Sequence, residues 1–265
     1  MLNFLFLCSW QNAQAVVIIQ INRPLSKVKP YKDNQSGKKE QVTKMFDTIS
    51  KEYDRLNRVI SFGTDVKWRK KVVQLVKKTN PETILDIATG TGDLALNLVQ
   101  TQAKKIIGLD ISEGMLEVGR QKVATQQLGT TIEMVLGDSE NLPFEANTFD
   151  AITVAFGIRN FEDLEKGLSE ILRVLKPNGI FVILETSVPT KTPFKQGYRL
   201  YANYILPTIG RLFSKDKSAY AYLSESASKF PFGAALNNIL LKIGFSNVKD
   251  FPQTFGAATI YTASK

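Results

Sequence analysis

The feature that most constrains the fold is an alternation, between residues 83 and 185, of short apolar runs with amphipathic segments. Thr83–Ala88, Lys105–Leu109, Thr131–Leu136, Phe149–Phe156 and Ile180–Glu185 each read as a buried strand. Asp93–Thr101, Ser112–Thr125 and Glu162–Leu175 read as helices between them. Ser112 is a natural N-cap for the second helix, and Pro177-Asn178-Gly179 stops the third. Strands separated by helices can pair in parallel, because each crossover returns the chain to the same end of the sheet. The rhythm predicts a mainly parallel, doubly wound α/β sheet.

The flanks follow other patterns. Val42, Phe46, Ile49 and Tyr53 recur at helical spacing and form one apolar stripe. A second helix is predicted over Val66–Lys78, with Trp68, Val72, Leu75 and Val76 inward and Asn80-Pro81 as its stop. Phe194–Phe213 is aromatic, aliphatic and poor in acids, and it reads as an amphipathic lid carrying Tyr198, Tyr201, Tyr204 and Ile205 with Arg199 and Arg211. A helix over Phe232–Ile243 follows. Ser246–Phe251 and Ala257–Ala263, joined by a short Gly-containing connection, then close the chain as an antiparallel pair. Residues 1–40 are expected to be a leader and a loosely held Lys-rich arm. Leu2–Cys8 lacks a preceding positive charge, and polar Ser9–Gln14 interrupts any span, so a spurious upstream start or disordered leader suits this segment better than a secretory signal. Residues 41–265 then form a single domain, long enough at 43% apolar content in 265 residues to bury one large core.

Composition removes several chemistries. The chain has no histidine, which excludes a Ser-His-Asp triad and an imidazole base, and its single Cys8 excludes a disulfide framework. No metal site is expected. The net charge of +9 is concentrated at the front: residues 1–80 hold 16 Lys+Arg against 6 Asp+Glu, and the remainder 18 against 19. A basic front on a near-neutral body suits an anionic surface, either lipid headgroups or nucleic acid.

The strongest local motif is Leu85-Asp86-Ile87-Ala88-Thr89-Gly90-Thr91-Gly92-Asp93, after one strand and before a helix. Glycines there let a ligand approach the backbone at the carboxyl end of the sheet. The dinucleotide pattern G-x-G-x-x-G fails, since Ala88 and Asp93 occupy its outer positions. An acid at the helix start also disfavours a pyrophosphate, so the expected ligand lacks phosphates. Asp110 ends the next strand, placed to accept from both ribose hydroxyls, and Gly137-Asp138-Ser139 ends the third, where a carboxylate can accept from an adenine amino group.

This constellation resembles the class I S-adenosylmethionine methyltransferases. The resemblance implies a seven-stranded sheet with an antiparallel last strand. It also implies that Asp86, Gly90, Thr91 and Gly92 hold the methionine portion of the cofactor, Asp110 the ribose, and Asp138 and Ser139 the adenine. Tyr53-Asp54-Arg55-Leu56-Asn57-Arg58-Val59-Ile60-Ser61 through Trp68, and Arg173-Val174-Leu175-Lys176-Pro177-Asn178-Gly179 continuing to Glu185-Thr186-Ser187, resemble the two signatures of the ubiquinone/menaquinone biosynthesis C-methyltransferases. Phe156-Gly157-Ile158-Arg159-Asn160 is similar to a third segment of that family. Asp65 stands where the family usually has His, and Asn178 where it has Gly, a turn position at which Asn tolerates positive φ.

The resemblance implies C-methylation of the ring of an isoprenoid quinol such as a demethylmenaquinol, by a cytoplasmic enzyme peripheral at the inner face of the membrane. A homo-oligomer is left open. Loss of a phenolic proton makes the ring carbon nucleophilic. Arg159, which stays protonated, is expected to hold the resulting oxyanion and to orient a water, and Asn160 to hydrogen-bond the quinol. Tyr53, Asn57 and Tyr201 are expected to close over cofactor and substrate. The alternatives are a methyltransferase of another lipophilic small molecule, a non-catalytic cofactor-binding scaffold and a nucleic-acid methyltransferase. No N-P-P-Y-like segment follows the fourth strand, which disfavours the last.

Overall fold

The computed structural model describes residues 28–31, 34–205 and 217–265. In chain order its main elements are α1 (Lys38–Ile49), α2 (Tyr53–Ile60), α3 (Thr64–Lys77), β1 (Thr83–Ile87), α4 (Asp93–Leu98), β2 (Lys105–Asp110), α5 (Glu113–Thr125), β3 (Ile132–Leu136), β4 (Phe149–Ala155), α6 (Leu164–Val174), β5 (Leu175–Thr186), α7 (Phe194–Leu200), α8 (Lys217–Lys229), α9 (Ala234–Ile243), β6 (Ser246–Gln253) and β7 (Ala258–Ser264). The seven strands form one sheet in the order β3-β2-β1-β4-β5-β7-β6. β1 to β5 pair in parallel, and β7 runs antiparallel to both β5 and β6.

The central strands are buried on both faces, which is why they read as continuous apolar runs and not as alternating ones. Leu85, Ile87, Ile152, Val154, Phe181 and Ile183 face α6 and α9, where Leu168, Ile171, Leu236 and Leu240 meet them. Ile84, Ala151, Val182 and Leu184 face the other way, against Trp68, Val72 and Val76 of α3 and Leu94 and Leu98 of α4. Each Val, Leu, Ile or Phe side chain among them contributes roughly 1.5–3 kcal/mol of burial. The strand order reverses between β1 and β4. Helices leave that point on opposite faces, so a crevice opens beyond the carboxyl ends of β1, β2 and β4.

Several boundaries differ from expectation. The apolar stripe from Val42 to Tyr53 is two helices: α1 ends at Ile49 and Tyr53 opens α2, with the Phe46 and Tyr53 rings edge-on at 5.7 Å across the break. Helix α6 begins at Leu164, not Glu162, because the Asp163 side chain accepts from the Lys166 N–H as an N-cap. Ser112 caps α5 as predicted, accepting from Met115 N–H. Asn178 has φ +63° inside β5, which begins at Leu175. Helix α8 was not foreseen, and residues 206–213 of the predicted lid lie outside the described residues.

The described part of the arm expected to be loosely held is packed. Val28 is buried with Val42, Met45, Ile49, Met115 and Tyr222 in a third apolar cluster. Tyr31 N–H donates to Gln41 Oε1. Lys38, the first residue of α1, is fully enclosed.

Candidate functional site

The crevice is a cavity partly open to solvent. Ala88, Gly90, Asp110 and Gly157 line it from the strand ends, Asp138 and Ser139 from the loop after β3, and Val42, Phe46 and Tyr53 from the N-terminal helices. The turn after β1 takes its shape from three left-handed residues, Ala88 (φ +51°), Gly90 (φ +58°) and Gly92 (φ +78°). Thr89 N–H donates to Leu109 O, which ties the turn to the end of β2. A side chain at Gly90 would project toward the Tyr53 ring, 4.0 Å from where its Cβ would lie, and so into the cavity.

Asp110 joins the first two loops. Its Oδ2 accepts from Gly90 N–H at 2.7 Å and its Oδ1 from Ser112 N–H at 2.9 Å. Asp110 lines the cavity, where a carboxylate can accept from a diol. Burial raises its carboxyl above the usual range, and the backbone N–H donors oppose that shift. Asp138 receives Glu140 N–H on Oδ1 and Lys39 Nζ on Oδ2.

The expected cofactor residues do not all reach the cavity wall. Asp86 sits beneath the turn, with its oxygens taken by the hydroxyls of Thr89 and Thr153 at 2.6 Å each. Desolvation pushes its carboxyl up to about 6. Thr91 Oγ1 donates to Asp54, and Gly92 caps α4. These three residues shape the turn from behind. Asp93 also differs from the sequence argument: Lys122 at 2.8 Å and Arg58 at 3.6 Å neutralise it, so its charge does not face a ligand. Asp65, in the position usually held by His, is buried and ion-paired to Arg69 and Arg58, where it fixes the turn between α2 and α3.

The N-terminal helices bridge the loops after β1, β2, β3 and β4 at the sheet's carboxyl edge. Asp54 binds Thr91, and Asp47 accepts from Ser112 Oγ and Gly114 N–H. Lys39 pairs with Asp138 and Glu140. Lys38 Nζ donates to Arg159 O and Phe161 O. Burial lowers the Lys38 ammonium to about 8. None of these contacts was legible locally, because each joins residues between 37 and 123 positions apart.

Beyond the cavity lies the short turn after β4. Arg159, in that turn, is 7% exposed, and its Nη1 donates to Glu185 Oε1 at 2.5 Å and to Phe156 O at 2.8 Å. The Arg159–Glu185 ion pair is buried. Asn160 lines the cavity, and its Oδ1 accepts from Tyr222 of α8 at 3.0 Å. Tyr53 is hydrogen-bonded to Asn57, and desolvation raises its phenol above the ordinary value. Tyr201 Oη donates to Ile60 O at 2.5 Å, which fastens the lid segment to the end of α2.

Residues 34–265 match the model of the ubiE/COQ5 methyltransferase family. The chain belongs to that family. It is 49% identical to the demethylmenaquinone methyltransferase of Bacteroides fragilis (strain ATCC 25285), over 92% of this chain and all of that protein. It is 43% identical to the ubiquinone/menaquinone biosynthesis C-methyltransferase UbiE of Geobacter sulfurreducens, over 90% of this chain and 93% of that one. Among solved structures, a possible histamine N-methyltransferase from Thermotoga maritima superposes with a TM-score of 0.57 at 22% identity, covering 84% of this chain and 99% of that one. That likeness shows the class I S-adenosylmethionine methyltransferase fold and nothing of the substrate. Family membership makes S-adenosylmethionine the implied cofactor, and the residues fit it: a carboxylate for the ribose diol, a glycine turn for the methionyl chain and a polar loop beyond β3.

Proposed function

We propose that this protein methylates a ring carbon of a demethylmenaquinol, or of a closely related isoprenoid quinol precursor, using S-adenosylmethionine. The observation that carries this reading beyond family membership is the buried Arg159–Glu185 pair beside the cofactor cavity, with Tyr53, Tyr198 and Tyr222 close enough to act on Arg159 electrostatically. An aromatic enclosure with a fixed cation suits a fused ring that must become anionic. The bound cofactor supplies an electrophilic methyl group. Asp110 and the loop carrying Asp138 and Ser139 hold its nucleoside end, and the turn around Gly90 holds its amino-acid end. Arg159 holds the quinol oxyanion, and Asn160, fixed by Tyr222, positions the ring. Arginine cannot accept a proton at neutral pH, so Arg159 acts by electrostatics alone.

The lid gives the isoprenoid tail a way out. Phe62, Leu200, Tyr204 and Ile205 are exposed apolar side chains beside exposed Lys191, Lys195 and Arg199, an arrangement suited to peripheral contact with the cytoplasmic face of a membrane. Among the described residues no helix is long and apolar enough to cross a membrane.

The direct test is to incubate the full chain with methyl-labelled S-adenosylmethionine and a short-chain demethylmenaquinol. The label should appear on the quinol, one methyl heavier by mass spectrometry. Transfer only to RNA, or to no naphthoquinol of any chain length, would overturn the reading.

A further inference from the structure

The Arg159–Glu185 pair is incompletely satisfied. Glu185 is 1% exposed, and its Oε1 accepts from Arg159 Nη1, Thr186 N–H and Thr186 Oγ1. Among the described residues, its Oε2 and the Nε–H of Arg159 are buried with no hydrogen-bond partner. Burying an ion pair is favourable only when its remaining donors and acceptors are used. Here the same two side chains leave one donor and one acceptor unpaired, and a hydroxyl is the group that serves both at once: its oxygen accepts from Nε–H while its proton is donated to Oε2.

The pair also sits in the right place. Glu185 follows Leu184, which is in register with Ala155, and Phe156 N–H donates to Leu184 O. Ala155, Phe156, Gly157 and Asn160 all line the cofactor cavity. The carboxyl end of β5 therefore stands directly beside the end of β4 that lines the cavity.

We infer that Glu185 Oε2 takes the proton of the quinol hydroxyl while Arg159 Nε–H holds the oxygen left behind; this rests on the quinol reading above. In that step the quinol O–H bond breaks, its electron pair stays on oxygen, and the O–H bond of a protonated Glu185 forms. The oxyanion replaces the carboxylate as counter-charge to Arg159, so the buried cluster keeps the same net charge and no further charge is desolvated. Oxygen lone-pair density then makes the adjacent ring carbon nucleophilic. After methyl transfer that carbon loses its hydrogen to water as a proton, Glu185 returns its proton to the oxygen, and the ring is aromatic again. Other nearby groups are committed elsewhere. Lys38 Nζ points at two backbone carbonyls, and the phenols of Tyr53, Tyr198 and Tyr222 are all held protonated by burial.

The test compares wild type with Glu185→Gln on a series of short-chain naphthols and naphthoquinols whose hydroxyls range from weakly acidic to ionised at assay pH. With the weakly acidic acceptors, Glu185→Gln should lose ~10²–10⁴-fold in turnover, the range of general-base contributions, at unchanged cofactor affinity. With acceptors already ionised, the loss should shrink to within about tenfold. A binding measurement gives a second readout. Glu185→Gln leaves Arg159 without its counter-ion, so it should bind an ionised naphtholate ~10-fold more tightly than wild type and the neutral naphthol less tightly. Should Glu185→Gln not fold, Glu185→Asp carries the same comparison, with a loss that again falls as the acceptor becomes more acidic. An equal loss across the whole series, with both naphthol forms bound equally worse, would assign Glu185 only to positioning Arg159 and overturn the inference. If wild type methylated no member of the series, the quinol reading itself would fall, and the inference with it.

Discussion

Asp86 opens the glycine-turn motif, yet its side chain faces inward, where the hydroxyls of Thr89 and Thr153 are donated to it. Two neutral donors do not offset full desolvation, which leaves its carboxyl near 6 against an ordinary 3.8. Because the folded state binds this proton more tightly than the unfolded state, the group favours folding at low pH, and that contribution is lost as pH rises through about 6. Asp86→Asn should abolish the dependence. Urea unfolding at pH about 4 and about 7 should show the variant gaining on wild type by as much as ~3 kcal/mol over that interval. A constant difference would mean that Asp86 is ionised throughout. The motif was legible because glycines and acids cluster within nine residues. Which acid meets the ligand was not, since that depends on side-chain direction at the end of a strand, and Asp110 and Asp86 look alike in sequence.

Among elements, a close approach at the site is between the ends of β1 and β4. A Cβ on Gly157 would lie 2.4 Å from the Ala88 Cβ, so the strand ends meet there only because one of the two residues lacks a side chain. Ala88 itself holds φ +51°, a conformation that costs an alanine and not a glycine. Gly157→Ala should therefore destabilise by about 1–3 kcal/mol through overpacking, while Ala88→Gly should be tolerated or stabilising. The double variant should recover most of the loss, a coupling of ~0.5–3 kcal/mol in chemical unfolding. Simple additivity would show that the backbone moves apart freely. The strands and their helices were readable because burial on both faces writes a local signal. The helical clamp was not, because Lys38, Asp47 and Asp54 act on loops distant in sequence and look like solvated charges until the chain is folded. Glu185 lay in plain view at the end of a predicted strand, but only the buried pairing with Arg159 gives it a role.

At the scale of the molecule, the apolar surface around the lid comes from three separate segments. Phe62, 72% exposed, touches Tyr201 at 5.8 Å between ring centroids, and Phe255, 69% exposed, stacks on Phe194 at 3.8 Å. Leu200, Tyr204 and Ile205 lie next to the first pair in the chain, and Lys191, Lys195 and Arg199 supply positive charge beside them. On the reading proposed above, the substrate is a quinol with an isoprenoid tail that resides in a bilayer, and a surface that is apolar and cationic at the lid would bring the enzyme to it without extracting it into water. Each basic side chain near an anionic leaflet contributes about 1 kcal/mol, and each apolar side chain inserted adds its transfer energy. The full chain should co-sediment with vesicles containing anionic phospholipid at low salt and be released as salt rises. The pair Phe62→Ser and Leu200→Ser, exposed and away from the cavity wall, should weaken that binding by ~10-fold or more without lowering thermal stability, and should slow methylation of vesicle-borne quinol more than that of a short-chain soluble one. Binding indifferent to these substitutions would place the membrane contact elsewhere, and no binding to anionic vesicles at low salt would remove it altogether.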